Sequence, residues 1–147
     1  MNKTEDEALR SLTSLCARRE LCSADIRKKM RLWGLYPEAQ ERVLAYLVDN
    51  RFVDDLRYAR AFVDEKIRLY KWGPRKIEHA LLTKGVGMSA IRAALEEVDT
   101  ETFVEALRHL LHSKRNTIRS ADPQTRAKLV RFALARGFDM ETISRCL

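Results

Sequence analysis

The clearest pattern of apolar and polar positions lies in residues 54–85. At about 100° per residue, the cationic side chains of its first half share one face with a carboxylate, and apolar side chains cover the rest. The polar face holds Arg57, Arg60, Asp64, Arg68 and Lys71, and the apolar positions are Leu56, Ala59, Phe62, Val63, Ile67 and Tyr70. Gly73–Pro74 ends this pattern, because proline disfavours a helical residue before it and can itself start a helix. The stretch predicts a long helix with one packing face and one basic face, then a shorter helix that stops at Gly85.

Three further helices are predicted before this stretch. Residues 4–7 (Thr-Glu-Asp-Glu) have the form of a capping box and open a helix that fades near Arg18–Glu20. Ser23 is a suitable N-cap for a second helix, which Gly34 ends in the left-handed conformation that other residues resist. Pro37 suits the first turn of the third.

The pattern after residue 85 also predicts helices. Ser89 is expected to cap one helix, and another begins at Thr100 or Glu101. Residues Arg115–Ala121 lack helical periodicity and are expected to form an exposed, mobile connection. Asp122–Pro123 then supplies an N-cap and a proline at the first helical position.

Three glycines that end short helices are evenly spaced. Gly34, Gly85 and Gly137 are separated by 51 and 52 residues. Apolar residues recur eight positions before each glycine, one after it and ten after it. They are Ile26, Ile77 and Leu129, then Leu35, Val86 and Phe138, then Leu44, Leu95 and Leu147. This period is typical of a tandem repeat.

The repeat predicts an all-α fold of three tandem three-helix units, at 1–51, 52–99 and 100–147. The helix order and tight turn resemble helix-turn-helix modules. Such units form an elongated, curved array that can follow another elongated object, such as a filament or a nucleic-acid duplex. The alternative is a single irregular helical bundle in which the glycines are ordinary helix C-caps.

Composition supports a helical, basic protein. The chain has 46% hydrophobic residues, which is enough for a core, and its 5 Gly and 3 Pro in 147 residues leave little turn chemistry for a many-stranded fold. The formal net charge of +7 should attract polyanions or acidic protein faces.

Residues that could carry chemistry are few. The chain lacks a nucleotide-binding glycine motif, a P-loop and a nucleophile elbow, so we expect no catalytic residue and no cofactor. His109 and His112 share a helix face, but they lack further ligands at metal-site spacing and are better explained as solvated or half-buried side chains. Asp54–Asp55 is better explained as a helix cap than as an acid/base pair.

The cysteines and the hydropathy pattern indicate the cellular compartment in which the protein is expected. Cys16, Cys22 and Cys146 are odd in number and form no CxxC motif, which argues against a disulfide framework and a zinc site. We find no export leader and no apolar run long enough to span a membrane, so the cytosol is the expected location.

Basic residues form two clusters. Residues 57–76 contain seven basic and two acidic side chains, interleaved with Tyr58, Tyr70 and Trp72. Guanidinium groups bind phosphate or carboxylate and rings can stack, so this cluster is typical of a polyanion-binding surface. A solvated helix face with its aromatic residues in the core is the alternative. The second cluster is Arg126, Lys128, Arg131 and Arg136.

Several of these motifs resemble the RecX regulatory proteins of bacteria, in the same order and over nearly the whole chain. The motifs are Asp54-Asp55-x-Arg57-Tyr58-Ala59-Arg60-Ala61-Phe62, Gly73-Pro74-Arg75-Lys76-Ile77, Leu81-x-x-Lys84-Gly85 and Arg131-Phe132-x-x-x-Arg136-Gly137-Phe138. The resemblance implies three three-helix repeats without catalytic activity that bind the RecA recombinase filament and modulate it, usually by inhibition. It also implies a place in DNA repair, with contact to single- or double-stranded DNA.

We expect a monomer whose basic side chains face RecA or DNA. These side chains are Arg57, Arg60, Arg68, Lys71, Arg75, Lys76, Lys84, Arg126, Arg131 and Arg136. The alternative function is a free-standing DNA-binding regulator built on helix-turn-helix-like units, which would bind duplex DNA sequence-selectively without RecA.

Overall fold

The computed structural model describes residues 2–118 and 124–147. All regular secondary structure in these two ranges is helical. The helices are α1 (Glu5–Arg18), α2 (Ser23–Leu32), α3 (Pro37–Asp49), α4 (Asp55–Tyr70), α5 (Pro74–Lys84), α6 (Met88–Glu96), α7 (Thr100–Arg115), α8 (Thr125–Ala135) and α9 (Met140–Cys146).

The helices form three successive units, α1–α3, α4–α6 and α7–α9. In each unit the third helix packs on both of the others, so the predicted all-α, tandem three-helix fold is confirmed. The unit boundaries at residues 51 and 99 stay a prediction. The chain exposes 9267 Å², about a fifth more than the roughly 7,700 Å² expected of a compact protein of this mass, as an extended array should.

The predicted glycine turns are confirmed in all three units. Gly34, Gly85 and Gly137 have φ of 74°, 103° and 97°, a left-handed conformation that costs other L-residues about 1–2 kcal/mol. In each turn the N–H of the residue after the glycine donates to a carbonyl five positions earlier, as in a Schellman motif. Those following residues, Leu35, Val86 and Phe138, are all buried. The repeat is therefore present in backbone geometry as well as in sequence.

Several predicted helix starts are confirmed. The Thr4 hydroxyl accepts the Glu7 N–H at 3.2 Å, while the Glu7 carboxylate accepts the Thr4 N–H at 3.0 Å. Asp54 caps α4 by accepting the Arg57 N–H at 3.0 Å. Helix α7 begins at Thr100.

The predicted cap of α2 is wrong. Cys22, and not Ser23, is the N-cap, and the Asp25 carboxylate accepts the Cys22 N–H at 3.2 Å. The Ser23 N–H instead donates to the Asp55 carboxylate of the second unit at 2.7 Å. This bond joins residues 32 apart in sequence, so no local pattern could reveal it.

Two further boundaries differ from the sequence predictions. Helix α6 is preceded by Gly87, so the predicted cap Ser89 lies inside its first turn. Helix α4 ends at Tyr70, because Lys71 adopts the left-handed conformation at φ 56°, two residues before the stop predicted at Gly73–Pro74. Tyr70 was expected on the packing face but is 50% exposed.

The connection before α8 is described only in part. Helix α7 continues to Arg115, and a turn follows at residues 116–117. Ile118 is half-buried and packs against the hydrophobic core, so this residue is not exposed as predicted. Residues 119–121 of the predicted connection, and the cap predicted at Asp122–Pro123, lie outside the described residues. Among the described residues, Gln124 directly precedes α8.

The three units bury their apolar side chains in two separate cores. The first unit has its own core, built around Leu12, Ile26 and Leu47. The second and third units share one continuous core, in which Ile77 of α5 and Phe138, after α8, are both fully buried. The second and third units are thus joined by hydrophobic packing.

The first unit meets the second through residues 20–25. Lys84 Nζ lies 2.8 Å from an Asp25 carboxylate oxygen, and Arg57 pairs with Glu20 at 2.7 Å. Among its described residues, the first unit contributes one buried apolar side chain to the shared core, that of Cys22. The joint therefore combines these polar contacts with apolar packing, since Val53 of the second unit is in turn buried in the core of the first.

We expect Lys84→Ala to destabilise this joint by about 1 kcal/mol at neutral pH. Burial raises the pKa of Asp25, but hydrogen bonds from Lys84 and the Cys22 N–H outweigh it and set that pKa below its usual range. A lowered folded-state pKa means that the contribution is present above the unfolded value, about 3.9, and is lost as pH falls through the folded value. Urea denaturation between pH 3 and 7 should show the effect of the substitution shrinking in acid.

The matched control is Arg108→Ala, which removes the more exposed Arg108–Glu105 pair within α7. We expect it to change stability by less than about 0.5 kcal/mol. Hydrogen exchange should accelerate at residues 20–25 only in Lys84→Ala. Equal effects of the two substitutions would contradict a structural role for the Lys84–Asp25 pair.

Candidate functional site

Two glycines bring the second and third units into backbone contact. The Gly73 N–H donates to the Arg136 carbonyl at 2.7 Å, and the Arg75 N–H donates to the Gly137 carbonyl at 3.0 Å. A Cβ built on Gly73 would lie 2.5 Å from the Gly137 carbonyl oxygen, so only glycine fits this approach. The two motifs singled out in the sequence, Gly73–Lys76 and Arg136–Phe138, therefore bind each other directly.

Aromatic rings surround a lysine at the end of α4. Lys66 Nζ lies 5.1 Å from the ring centroid of Phe62, 4.7 Å from that of Tyr70 and 5.1 Å from that of Trp72. Lys76 Nζ lies 4.6 Å from the centroid of Trp72. Cations at these distances are attracted to the ring faces, so two ammonium groups interact with Trp72.

The same arrangement continues in the third unit. Lys114 Nζ lies 5.0 Å and Arg136 Cζ 4.8 Å from the ring centroid of Phe132. Since the Arg136 carbonyl accepts the Gly73 N–H, this second group adjoins the first across the joint. We call the combined set the junction surface; its members are Lys66, Tyr70, Trp72, Lys76, Lys114, Phe132 and Arg136.

The cations at this joint are largely without acidic partners. Within residues 2–118 and 124–147, Lys76, Lys114 and Arg136 form no ion pair, and the same holds for the exposed Arg75. Lys66 has a loose pair with Glu65 at 3.5 Å. Positive charge with few acidic partners is thus concentrated beside aromatic rings, of which that of Tyr70 is exposed. This arrangement creates a potential favourable to polyanions.

Other members of the predicted basic face are paired within the chain. Arg57 binds Glu20 and also donates to the carbonyls of Arg51 and Phe52. Arg60 makes two hydrogen bonds to Glu97, at 2.7 and 2.6 Å. The hydrogen bonds from Arg60 hold the pKa of Glu97 below its usual range.

Three other predicted basic residues, Lys84, Arg68 and Lys71, also have partners within the chain. Lys84 binds Asp25 as described above, and the exposed Arg68 lies 3.5 Å from Asp64 in the same helix. Lys71 Nζ donates to the Arg68 carbonyl at 2.9 Å. Arg57, Arg60 and Lys84 therefore connect separate segments of the chain, whereas Arg68 and Lys71 keep most of their charge available.

The basic residues of α8 do not form one patch. Arg126 and Arg131 are exposed and form no ion pair within the described parts of the chain. Five positions on a helix correspond to about 140° of rotation, so the two side chains leave α8 in different directions. Arg136, just after the helix, is the member of this cluster that reaches the junction surface.

A groove of about 740 Å³ runs between α4 and α7. Val63, Ile67 and Ala106 contribute apolar surface to it, and its charged lining includes both Arg68 and Glu105. Because the lining carries both signs of charge, the groove itself does not favour a polyanion.

Sequence reasoning found only part of the junction surface. It marked Lys76 and Arg136 as candidates and noted the aromatic residues near them. It missed Lys114, whose ring partner Phe132 is 18 residues away and on another helix. It also missed that Tyr70 is exposed. No local signal predicts either fact.

The histidines and cysteines can also be placed in the structure. His109 and His112 are exposed, and among the described residues no three His, Cys, Asp or Glu side chains form a group that could hold a metal ion. Burial raises the pKa of the Cys22 thiol, which makes it less reactive. None of the described helices has the length and apolar character to cross a membrane.

Two family models match the chain. One is described as "RecX, second three-helix domain" and matches residues 54–95; the other is "RecX, third three-helix domain" and matches residues 101–147. Gly73 falls in the first match and Gly137 in the second, so both halves of the junction surface lie within matched segments.

Curated relatives carry the name "Regulatory protein RecX". The protein from Pseudomonas fluorescens is 34% identical over 94% of this chain and 88% of its own length. That from Thermus thermophilus is 33% identical over 91% of this chain and 85% of its own length. The Lactobacillus johnsonii protein is longer; it is 32% identical over 74% of this chain, a match that spans 40% of that protein.

Solved structures share the fold. The crystal structure of RecX from Lactobacillus salivarius superposes with a TM-score of 0.89 over 97% of this chain and 93% of that chain, at 18% identity. A crystal structure of a regulatory protein RecX gives 0.83, at 23% identity, over 97% of this chain and 70% of that chain.

Proposed function

Because the chain belongs to the RecX family, we propose that it is a non-enzymatic, cytoplasmic regulator that binds the RecA nucleoprotein filament and lowers its recombinase and ATPase activity. The observation that carries this proposal is the match to regulatory RecX proteins over nearly the whole chain. We further propose that the protein acts in DNA repair by homologous recombination and in the SOS response.

The distribution of charge supports a filament as partner. A nucleoprotein filament presents phosphates and acidic side chains along its length, and a basic surface on an extended array can contact several of them at once. Arg75, Lys76 and Arg136 come from two units yet adjoin one another at the Gly73–Gly137 contact. We propose that these cations, with Arg68 and Lys71, face the filament.

The test is an assay with RecA on single-stranded DNA. Purified protein, added at substoichiometric amounts, should lower both ATP hydrolysis and strand exchange, and should cosediment with the filament. Unchanged activity together with no cosedimentation would overturn the proposal.

A free-standing duplex-binding regulator is the second candidate, favoured by the three-helix units. It requires a helix whose side chains read base edges in the major groove. The third helices of the second and third units are short, at 9 and 7 residues. Each carries one cation, Arg92 in α6 and Arg145 in α9, and Arg145 is paired with Glu101 at 2.6 Å. Sequence-selective duplex binding without RecA would nevertheless establish this candidate in place of the first.

A further inference from the structure

The groove between α4 and α7 follows one face of each helix. Its lining residues recur at spacings of three or four positions, as neighbours on a helix face do. They include Asp64, Ile67 and Lys71 on α4 and Thr102, Ala106 and His109 on α7. The lining extends from residue 60 to residue 71 along α4, which at about 1.5 Å per residue is roughly 16 Å, or three turns. The groove is therefore long enough for a segment of about three helical turns.

Apolar side chains form the floor of the groove. Val63 and Ile67 of α4 lie there with Ala106 of α7, and all three are buried. Arg60 and Glu97 also line the groove, but their two hydrogen bonds match them to each other. The floor thus offers apolar contact area to an occupant, and the Arg60–Glu97 pair adds little net charge.

The two walls of the groove carry opposite charge. Arg68 and Lys71 lie on the α4 side, where Asp64 offsets one of these two cations. Asp99 and Glu105 lie on the α7 side, and the Glu105 side chain is 70% exposed. Opposite charges along the two sides of an apolar groove favour a partner that carries the complementary charge on each of its own two sides.

We infer that this groove is the docking site for an amphipathic helix of a partner protein. The apolar stripe of that helix lies on the floor, its acidic side chains face Arg68 and Lys71, and its basic side chains face Glu105. An extended peptide does not fit, because both walls are helices whose backbone groups are bonded internally, so the N–H and C=O groups of the peptide would meet an apolar floor without partners. A helix satisfies these groups within itself.

The inference goes beyond the proposed function. The groove shares no residue with the junction surface, and a helix that carries both signs of charge is not a polyanion. A nucleic acid does not fit the groove, because its phosphates would lie against the carboxylates of Asp99 and Glu105. The test therefore needs neither RecA nor DNA.

The experiment uses the whole protein and three labelled peptides of about 15 residues, a length at which alanine-rich helices begin to form. Each peptide has leucines at spacings of three and four residues on one face. The mixed peptide has glutamates along one edge of the leucine stripe and lysines along the other, the acidic peptide has glutamates along both edges, and the basic peptide has lysines along both. Fluorescence anisotropy should show the mixed peptide binding about fivefold more tightly than either of the others, although the net charge of +7 by itself favours the acidic peptide.

Thr102→Trp tests whether the peptide occupies the groove. The Thr102 side chain is exposed and lines the groove, so the larger ring should cover the floor without disturbing the core. We expect the affinity for the mixed peptide to fall about tenfold or more. The matched control is Ser14→Trp, at an exposed position of α1, which should bind the mixed peptide normally. Circular dichroism checks that both variants keep their helical content.

Glu105→Lys tests the acidic wall. It reverses the charge of that wall and removes the exposed Arg108–Glu105 pair. The mixed peptide should bind about fivefold more weakly and the acidic peptide more tightly, so that their order is reversed. Glu41→Lys is the matched control, because it makes the same change in net charge and also removes one exposed ion pair, with Arg27; it should keep the original order.

Several results would overturn the inference. These are failure of the mixed peptide to bind, equal or tighter binding of the acidic peptide by the unaltered chain, equal losses in Thr102→Trp and Ser14→Trp, and an unchanged order of the peptides in Glu105→Lys. Self-association of the chain that Thr102→Trp abolishes would place a second copy in the groove and would also overturn it. If the RecA assay shows inhibition while no peptide binds, the inference fails and the proposed function stands. Binding of the mixed peptide without any effect on RecA gives the reverse result.

Discussion

Replacing Gly137 with alanine should lower the free energy of unfolding by about 2–5 kcal/mol, from strain of about 1–2 and overpacking of about 1–3. The strain arises because Gly137 has a φ of 97°. The overpacking arises because a Cβ there would lie 2.5 Å from both the backbone nitrogen and the Cβ of Lys76. Neither group can move without shifting α5. Urea denaturation followed by circular dichroism measures the loss.

Two other glycines separate the two causes. Gly73→Ala tests the clash alone, since Gly73 has an ordinary φ of −85° but its Cβ would meet the Gly137 backbone at 2.5 Å. Gly34→Ala tests the strain with little clash, because φ is 74° and the nearest atoms belong to the flexible Asn2 side chain. We expect losses of about 1–3 kcal/mol for the first and about 1–2 kcal/mol for the second.

The neutral control is Gly87→Ala. Gly87 has a φ of −71°, and a Cβ there would meet nothing within 4 Å. We expect a change within about 1 kcal/mol, since the small loss of cap preference is offset by the stiffer unfolded chain. A Gly137→Ala loss no larger than that of Gly34→Ala would contradict a tight joint between the second and third units.

Backbone requirements explain how much of the fold was predictable. A left-handed turn favours glycine, and the three glycines at this position, Gly34, Gly85 and Gly137, mark the repeat in the sequence itself. Lys71 takes the same conformation without glycine, and so the end of α4 could not be located from residue type. Its strain is offset by contacts on both sides of the turn, such as those of Trp72 with Lys66 and Lys76.

Long-range contacts explain why the site was only partly predictable. Helical periodicity correctly placed Arg57 and Arg60 on a polar face, but each binds a carboxylate 37 residues away, Glu20 or Glu97. Counting charges in the sequence treats these cations as free to bind a partner, although in the folded chain each is already paired with a carboxylate. Conversely, the joint gathers Lys76 and Arg136, which no sequence window contains together. Local patterns therefore showed that the surface is rich in basic residues, but they did not show that Lys76 and Arg136 come together at the joint.

Reversing three charges at the joint should weaken binding to the proposed RecA filament on the order of 100-fold, because each cation contributes a charge-assisted contact. The variant is Arg75→Glu, Lys76→Glu and Arg136→Glu. Binding is measured at several salt concentrations, by the amount of protein needed for half-inhibition of ATP hydrolysis. The dependence on salt should also become shallower, since the variant displaces fewer counterions.

The matched control reverses three exposed cations of the first unit that form no ion pair in the described parts of the chain, Arg10, Lys28 and Arg31. Both triple variants take the net charge from +7 to +1, so they differ only in where charge is lost. We expect the control to retain affinity within a few-fold, because its cations lie outside the junction surface. Equal losses in the two variants, with unchanged circular dichroism, would show that net charge and not this surface governs binding. A loss confined to the joint variant would instead tie binding to the place where the Gly73–Gly137 contact brings cations of two units together.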